Sequence, residues 1–320
     1  MCQTLAVASA LIGSCALANW AVDPFDRLGL NNSGIYSASE RTAKPRLIET
    51  YRHDGLIVGS SRVTYIDPRD IDGYQLFNAG FSQAMPEEIA EFLRLFAVRQ
   101  RLVVIGLDFF MFNEREYPPR GPAFADVVPA DRTVAPAPTT YKDVHDLRNY
   151  LVSRNVLAST VKTMIARART EGPPPYLEAA GNRNPEEKFT ADRSTERMDC
   201  TEVVSYWRTH VLYDFRYSDA RVSILKDLGK MLEQRQEKYI VFINPEVTCL
   251  MDLIKEMGLY PLNLKFRRDV ASIFPVMFDL SEGKWSDAKH YFRSDPGHYF
   301  PSAGAAMLNR MIGDALSRPR

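Results

Sequence analysis

Net charge is the first thing missing from this chain. Forty basic and forty acidic side chains cancel over 320 residues, so there is no whole-chain field to draw in a polyanion, and nucleic acid is excluded as the expected partner. Histidine is scarce, at five residues. His53, His145, His210 and His290 show no metal-ligand spacing with one another or with cysteine, so neither a metal nor any other cofactor is expected. Cysteine is sparse too. Of the four, Cys2 and Cys15 sit in or beside an apolar N-terminal run, which leaves Cys200 and Cys249 as the possible pair in the body. A disulfide there suits an oxidising compartment, and two buried thiols are the other reading. There is no internal repeat and no low-complexity tract.

Charge is also missing locally. Thr4 to Val22 carries no charged side chain and is about long enough to cross a bilayer as a helix. No Lys or Arg precedes it. Ala16-Leu17-Ala18 before Asn19 fits a signal-peptidase site, and Ile12-Gly13-Ser14-Cys15 loosely fits a lipoprotein site. Residues 1–22 are therefore expected to be an uncleaved membrane anchor, with a signal segment, a lipidated start or a core helix as alternatives. The first three place the body outside the cytoplasm, anchored facing the periplasm or secreted.

What is present is a core. Hydrophobic residues make up 45% of the chain, ordinary for a globular protein of this size. The apolar runs Gly55 to Val58, Leu102 to Leu107, Tyr239 to Ile243 and Ile273 to Leu280 read as buried strands. Helical spacing follows or precedes them at Ser82 to Arg99, Ser218 to Gln236, Cys249 to Met257 and Pro301 to Leu316. This strand and helix alternation predicts an α/β fold with a mainly parallel sheet of four or five strands. The rhythm breaks from about 113 to 201, a proline-rich stretch expected to be an insertion containing one helix around Leu147 to Arg169. The organisation expected is a single α/β domain over 23–320.

Chemistry-bearing residues collect where ligands bind such sheets, beyond the carboxyl ends of the strands. Gly59-Ser60-Ser61-Arg62 follows the first strand, Asn78-Ala79-Gly80 precedes the first long helix, Asp108 ends the strand at Leu107, and Asp295-Pro296-Gly297-His298 lies before the closing helix. A serine hydroxyl becomes nucleophilic when an imidazole accepts its proton and a carboxylate fixes that imidazole. Asp295 and His298 lie three apart in a turn sequence. Read alone, Gly-Ser-Ser-Arg is also a helix cap or an anion cradle using Arg62. Phe109, Phe110 and Phe112 read as core, and Arg115, Arg267 and Arg268 as solvated charges.

In block order and strand context the chain resembles the SGNH (GDSL-like) hydrolase superfamily, closest to the branch associated with bacterial exopolysaccharide acetylation. The resemblance covers about Tyr51 to Asn113 and Tyr239 to Met311. It implies a three-layer α/β/α sandwich, Ser61 as nucleophile, His298 as base and Asp295 as orienting acid. The implied oxyanion hole uses Ser61 and Gly80, with Asn113 as a further candidate, and Arg62, Asn78 and Asp108 support or bind. Ser60 replaces the family's usual aspartate, and Gly106-Leu107-Asp108 does not match its third block. The implied function is a serine esterase or O-acyltransferase acting on an extracellular polysaccharide or acylated glycan, partnered by exopolysaccharide assembly proteins, with the apolar N-terminal segment expected to hold it at the inner membrane. The alternative is a non-catalytic glycan- or partner-binding component of such an assembly.

Overall fold

The apolar runs of the sequence become strands of one sheet in the computed structural model, which describes residues 2–24, 28, 30, 40–97, 100–115, 141–168, 177–185 and 198–317. The strands are β1 (Gly55–Val58), β2 (Leu76–Asn78), β3 (Leu102–Leu107), β4 (Tyr239–Ile243) and β5 (Met277–Asp279). All neighbouring pairs are parallel, in the order β2-β1-β3-β4-β5. β1 and β3 are buried along their whole length, as expected of strands covered on both faces. The fold class is α/β.

Two boundaries differ from the sequence expectation for local reasons. β2 has three residues, too few for periodicity to register, and it pairs because Leu76 and Phe77 are fully buried beside β1. β5 is shorter than the run Ile273 to Leu280, because a helix over Tyr260–Ile273 takes up the first of those residues. That helix packs on helix Asp219–Gln234, which in turn packs on helix Pro86–Phe96; the closing helix Pro301–Ser317 packs on β4 and on the short 3-10 turn Val63–Tyr65 after β1.

The chain divides into two compact units, 51–121 with 179–320, and 1–50 with 122–178, where one domain over 23–320 was expected. The sheet lies wholly in the first of these. In the second, helices Tyr141–Val152 and Arg154–Ala168 replace the one helix expected around Leu147 to Arg169, and both pack on helix Cys2–Val22. Asn19 ties them together. Fully buried, it donates from Nδ2 to the carbonyls of Leu151 at 2.7 Å and Ser153 at 3.3 Å, and its Oδ1 accepts from Thr160 Oγ1 at 2.8 Å. A buried amide is tolerated only when satisfied in this way. Among the described residues no helix is long and apolar enough to cross a membrane. The proline-rich runs at 118–138 and 173–175 lie outside the described residues.

Candidate active site

The order β2-β1-β3-β4-β5 reverses direction between β1 and β3, the switch point at which open parallel sheets form a crevice. Ser61 follows β1 and Asp108 follows β3 at that point. Gly59 turns the chain out of β1 with a φ of 153°, and a Cβ there would stand 2.6 Å from the Gly106 carbonyl oxygen, so only glycine fits. The turn beyond closes through Val63 N–H to Ser60 O at 3.2 Å and Thr64 Oγ1 to Ser61 O at 2.6 Å.

This turn separates the two serines. Ser60 is fully buried, and its Oγ accepts the Arg62 N–H at 3.2 Å. Ser61 is half-buried, and its Oγ lies 2.9 Å from His298 Nε2, across 237 residues of chain. His298 Nδ1 lies 2.9 Å from Asp295 Oδ2, with both side chains about four-fifths buried. The structure thus brings Ser61, His298 and Asp295 into one line of contacts at hydrogen-bonding distance.

The Asp295–His298 segment owes its position to the hairpin that carries it. His298 N–H closes the turn onto Asp295 O at 3.0 Å, and Tyr291 and Tyr299 form an antiparallel bridge at its base. Both tyrosines are buried, and their hydroxyls donate to the end of β4: Tyr291 to the Pro245 carbonyl at 2.9 Å, Tyr299 to Asn244 Oδ1 at 3.0 Å. The His298 ring meets the Tyr65 ring edge-on, centroids 5.5 Å apart at 84°, a preferred aromatic geometry.

Asn78 supports the nucleophile turn. Its Nδ2 donates to the carbonyls of Val63 and Ile66, each at 2.8 Å, while its Oδ1 accepts the Gly80 N–H at 3.0 Å. The Gly80 N–H is therefore already engaged, which corrects its expected place in the oxyanion hole. Asn113 is also elsewhere. Its Nδ2 donates to Val211 O at 3.0 Å and its Oδ1 accepts the N–H groups of Arg115 and Arg216, each at 3.2 Å, so it ties the turn beyond Phe109–Phe112 to the segment 211–216. The Ser61 N–H makes no hydrogen bond among the described residues.

Arg62 is buried at 2% exposure and bound to protein rather than open to an anion, which sets aside the cradle reading. Nη1 donates to Pro245 O at 2.9 Å and Nη2 to Glu246 Oε2 at 2.6 Å, while Nε stands 3.4 Å from Asp108 Oδ1. One side chain thus joins the ends of β1, β3 and β4. Burial works against its charge, and the attraction of Glu246 and then Asp108 overcomes that, holding its pKa above the usual arginine value. Two buried carboxylates share this one cation. Burial lifts Glu246 to about 7 against the pull of Arg62, and burial likewise lifts Asp108. Burial thus pushes both carboxyls toward their neutral form while Arg62 pulls against it.

A cavity of about 220 Å³ opens at Ser61, Asp295 and His298 and is walled by Phe110, Trp207 and Val211 among others. Gln83, at a φ of 52°, also lines it. Sequence reasoning missed Trp207, Val211 and Gln83, which lie outside the recognised blocks. Glu246 was missed as well, although it follows β4 as Asp108 follows β3 and the same strand-end rule points to it. Phe109, Phe110 and Phe112 are buried as core. Arg115 pairs with Asp214 and stays solvated at the surface, while Arg267, expected to be solvated, is largely covered and pairs with Asp279 and Glu282. A disulfide joins Cys200 to Cys249.

Comparison with family models, curated proteins and solved structures finds no match to this chain.

Proposed function

We propose that the chain is a serine-dependent acyl-ester hydrolase or O-acyltransferase of SGNH type, with a three-layer α/β/α sandwich, acting on an acylated extracellular polysaccharide. The observation that carries this reading is the pair of 2.9 Å contacts from His298, one to Ser61 Oγ and one to Asp295 Oδ2. Ser61 Oγ attacks the acyl carbonyl carbon as its proton passes to His298 Nε2, and Asp295 favours the imidazolium so formed. The Ser61 N–H donates to the oxyanion, and Gln83, which also lines the cavity, is the candidate for a second donor. Collapse breaks the ester C–O bond, the leaving alkoxide takes the proton from His298, and acyl-Ser61 remains. Water or a sugar hydroxyl, deprotonated by His298, then attacks that ester and returns Ser61 to its starting state. Water makes the protein an esterase and a sugar hydroxyl makes it a transferase.

The Cys200–Cys249 disulfide supports an oxidising compartment, in keeping with a body facing the periplasm or secreted. The glycan substrate and the assembly partners rest on the family resemblance, and the inner-membrane association through residues 1–22 rests on the charge-free run Thr4 to Val22. Hydrolysis of 4-nitrophenyl acetate and hexanoate by the purified chain and by Ser61→Ala tests the reading. The variant is expected to lose at least about 10³-fold in kcat/KM, and equal rates would remove the serine mechanism.

A second reading has one observation in its favour. The Gly80 N–H, the backbone donor that the family resemblance places beside Ser61 in the oxyanion hole, is engaged by Asn78, as suits a non-catalytic, glycan-binding member of an assembly. Glycan binding that survives in Ser61→Ala, from a wild type that hydrolyses no ester, would select it.

A further inference from the structure

The cavity beside Ser61 has a wall that the proposed chemistry does not use. Val203, Trp207 and Val211 stand four residues apart along helix Thr201–Tyr206 and the π-helical turn Trp207–Val211 that continues it. All three line the cavity. Spacing of this kind puts side chains on one face of a helix, and π turns recur at functional sites. The wall is braced from both sides. Trp207 meets Phe110 edge-on at 5.8 Å and 87°, the Arg62 guanidinium lies over its ring at 5.2 Å, and Cys200, directly before the helix, is bonded to Cys249.

Size and charge narrow what enters. At about 220 Å³ the space exceeds an apolar cavity of about 150 Å³ that holds a benzene ring, so an acetyl group would leave most of it empty. The cation at its edge, Arg62, is held by Glu246, Asp108 and the Pro245 carbonyl, so among the described residues lining the cavity an anionic chain finds no Lys or Arg that is not already engaged. We propose that this cavity is the acyl-chain site, that it takes an uncharged chain of about four to eight carbons, and that Val203, Trp207 and Val211 set the length. The assignment rests on the serine reading above and departs from acetyl transfer.

The test is kcat/KM across 4-nitrophenyl esters from acetate to octanoate. Burying a methylene is worth about fourfold, so hexanoate is expected to exceed acetate at least about tenfold. Half-buried Val203 is the lever. Val203→Phe narrows the space and lowers the hexanoate-to-acetate ratio at least about fivefold, and Val203→Leu lowers it less. Val203→Ala moves the optimum to a longer chain. A wild type that prefers acetate, or a ratio unchanged in a Val203→Phe variant with wild-type thermal unfolding, overturns the assignment. A second readout separates it from the serine chemistry: Trp fluorescence of Ser61→Ala titrated with hexanamide, a neutral probe that Val203→Phe is expected to exclude. Hydrolysis with a flat chain-length profile overturns the acyl-chain site and leaves the serine reading. Hexanamide binding sensitive to Val203→Phe, with no ester hydrolysed, overturns the serine reading and leaves a chain-binding cavity.

Discussion

Ser60 and Ser61 are adjacent and chemically identical, and burial alone gives them different work. Ser60 points inward and caps a turn, while Ser61 meets His298. The same division between support and chemistry runs through the neighbouring charged residues. Asp295→Asn is expected to lower kcat by about 10²- to 10⁴-fold, since it withdraws the group that fixes the imidazole; a steady-state profile with kcat unchanged would remove Asp295 from the triad. Arg62→Ala is expected to destabilise the fold by about 3–5 kcal/mol, because it leaves Asp108 and Glu246 buried without their cation, and urea unfolding measures it. Glu246 brings a pH dependence. Its pKa rises on folding from an ordinary 4.5 to about 7, so between those values the folded chain keeps a proton that the unfolded chain has lost. Stability from this group is therefore greatest below about pH 4.5 and declines as pH rises to about 7. Asp108 is raised too and adds the same sign, with Arg62 and Tyr291 the other groups facing Glu246. Urea unfolding at pH 5 and pH 8 should show a smaller loss in Glu246→Gln than in the wild type; an equal loss would contradict the raised pKa of Glu246.

At the scale of elements, the nucleophile turn is set by one valine among glycines. A Cβ on Gly80 would stand 2.6 Å from Val63 Cγ2, and one on Gly106 would stand 2.7 Å from Val63 Cγ1 and 2.9 Å from the Phe242 ring. Gly106→Ala is accordingly expected to cost about 1–3 kcal/mol through overpacking and to lower kcat by shifting the turn behind Ser61. Thermal unfolding and steady-state kinetics on one preparation read both. β1, β3 and β4 were legible in the sequence because their apolar runs are continuous and flanked by turn residues. β2 and the helix Tyr260–Ile273 were not: the first is three residues long, and the second buries chiefly Asn263, Phe266 and Val270, a stripe too thin for the pattern to announce. The site was legible where it follows the strand-end rule, as at Ser61, Asp108 and the Asp295–His298 turn. It was not legible in its apolar wall, because Val203, Trp207 and Val211 acquire their role only when residues far apart in the chain meet Phe110 and the triad.

Across the molecule, residues far apart in the chain are joined by two long-range ties. Arg62 joins three strand ends, and the Cys200–Cys249 disulfide closes a separation of 49 residues around β4. Chain-entropy reasoning for a loop of that size gives a stabilisation of about 4 kcal/mol, so Cys249→Ser is expected to lower the urea midpoint markedly under non-reducing conditions, and dithiothreitol to bring the wild type toward the same value. The proposed chemistry depends first on the identity of the nucleophile. Intact-protein and peptide mass spectrometry after treatment with phenylmethylsulfonyl fluoride tests it most directly. One sulfonyl adduct on the peptide containing Ser61, absent from Ser61→Ala and slowed in His298→Ala, is the result predicted; an adduct that persists in Ser61→Ala, or a wild type that stays unlabelled while it hydrolyses esters, would contradict it.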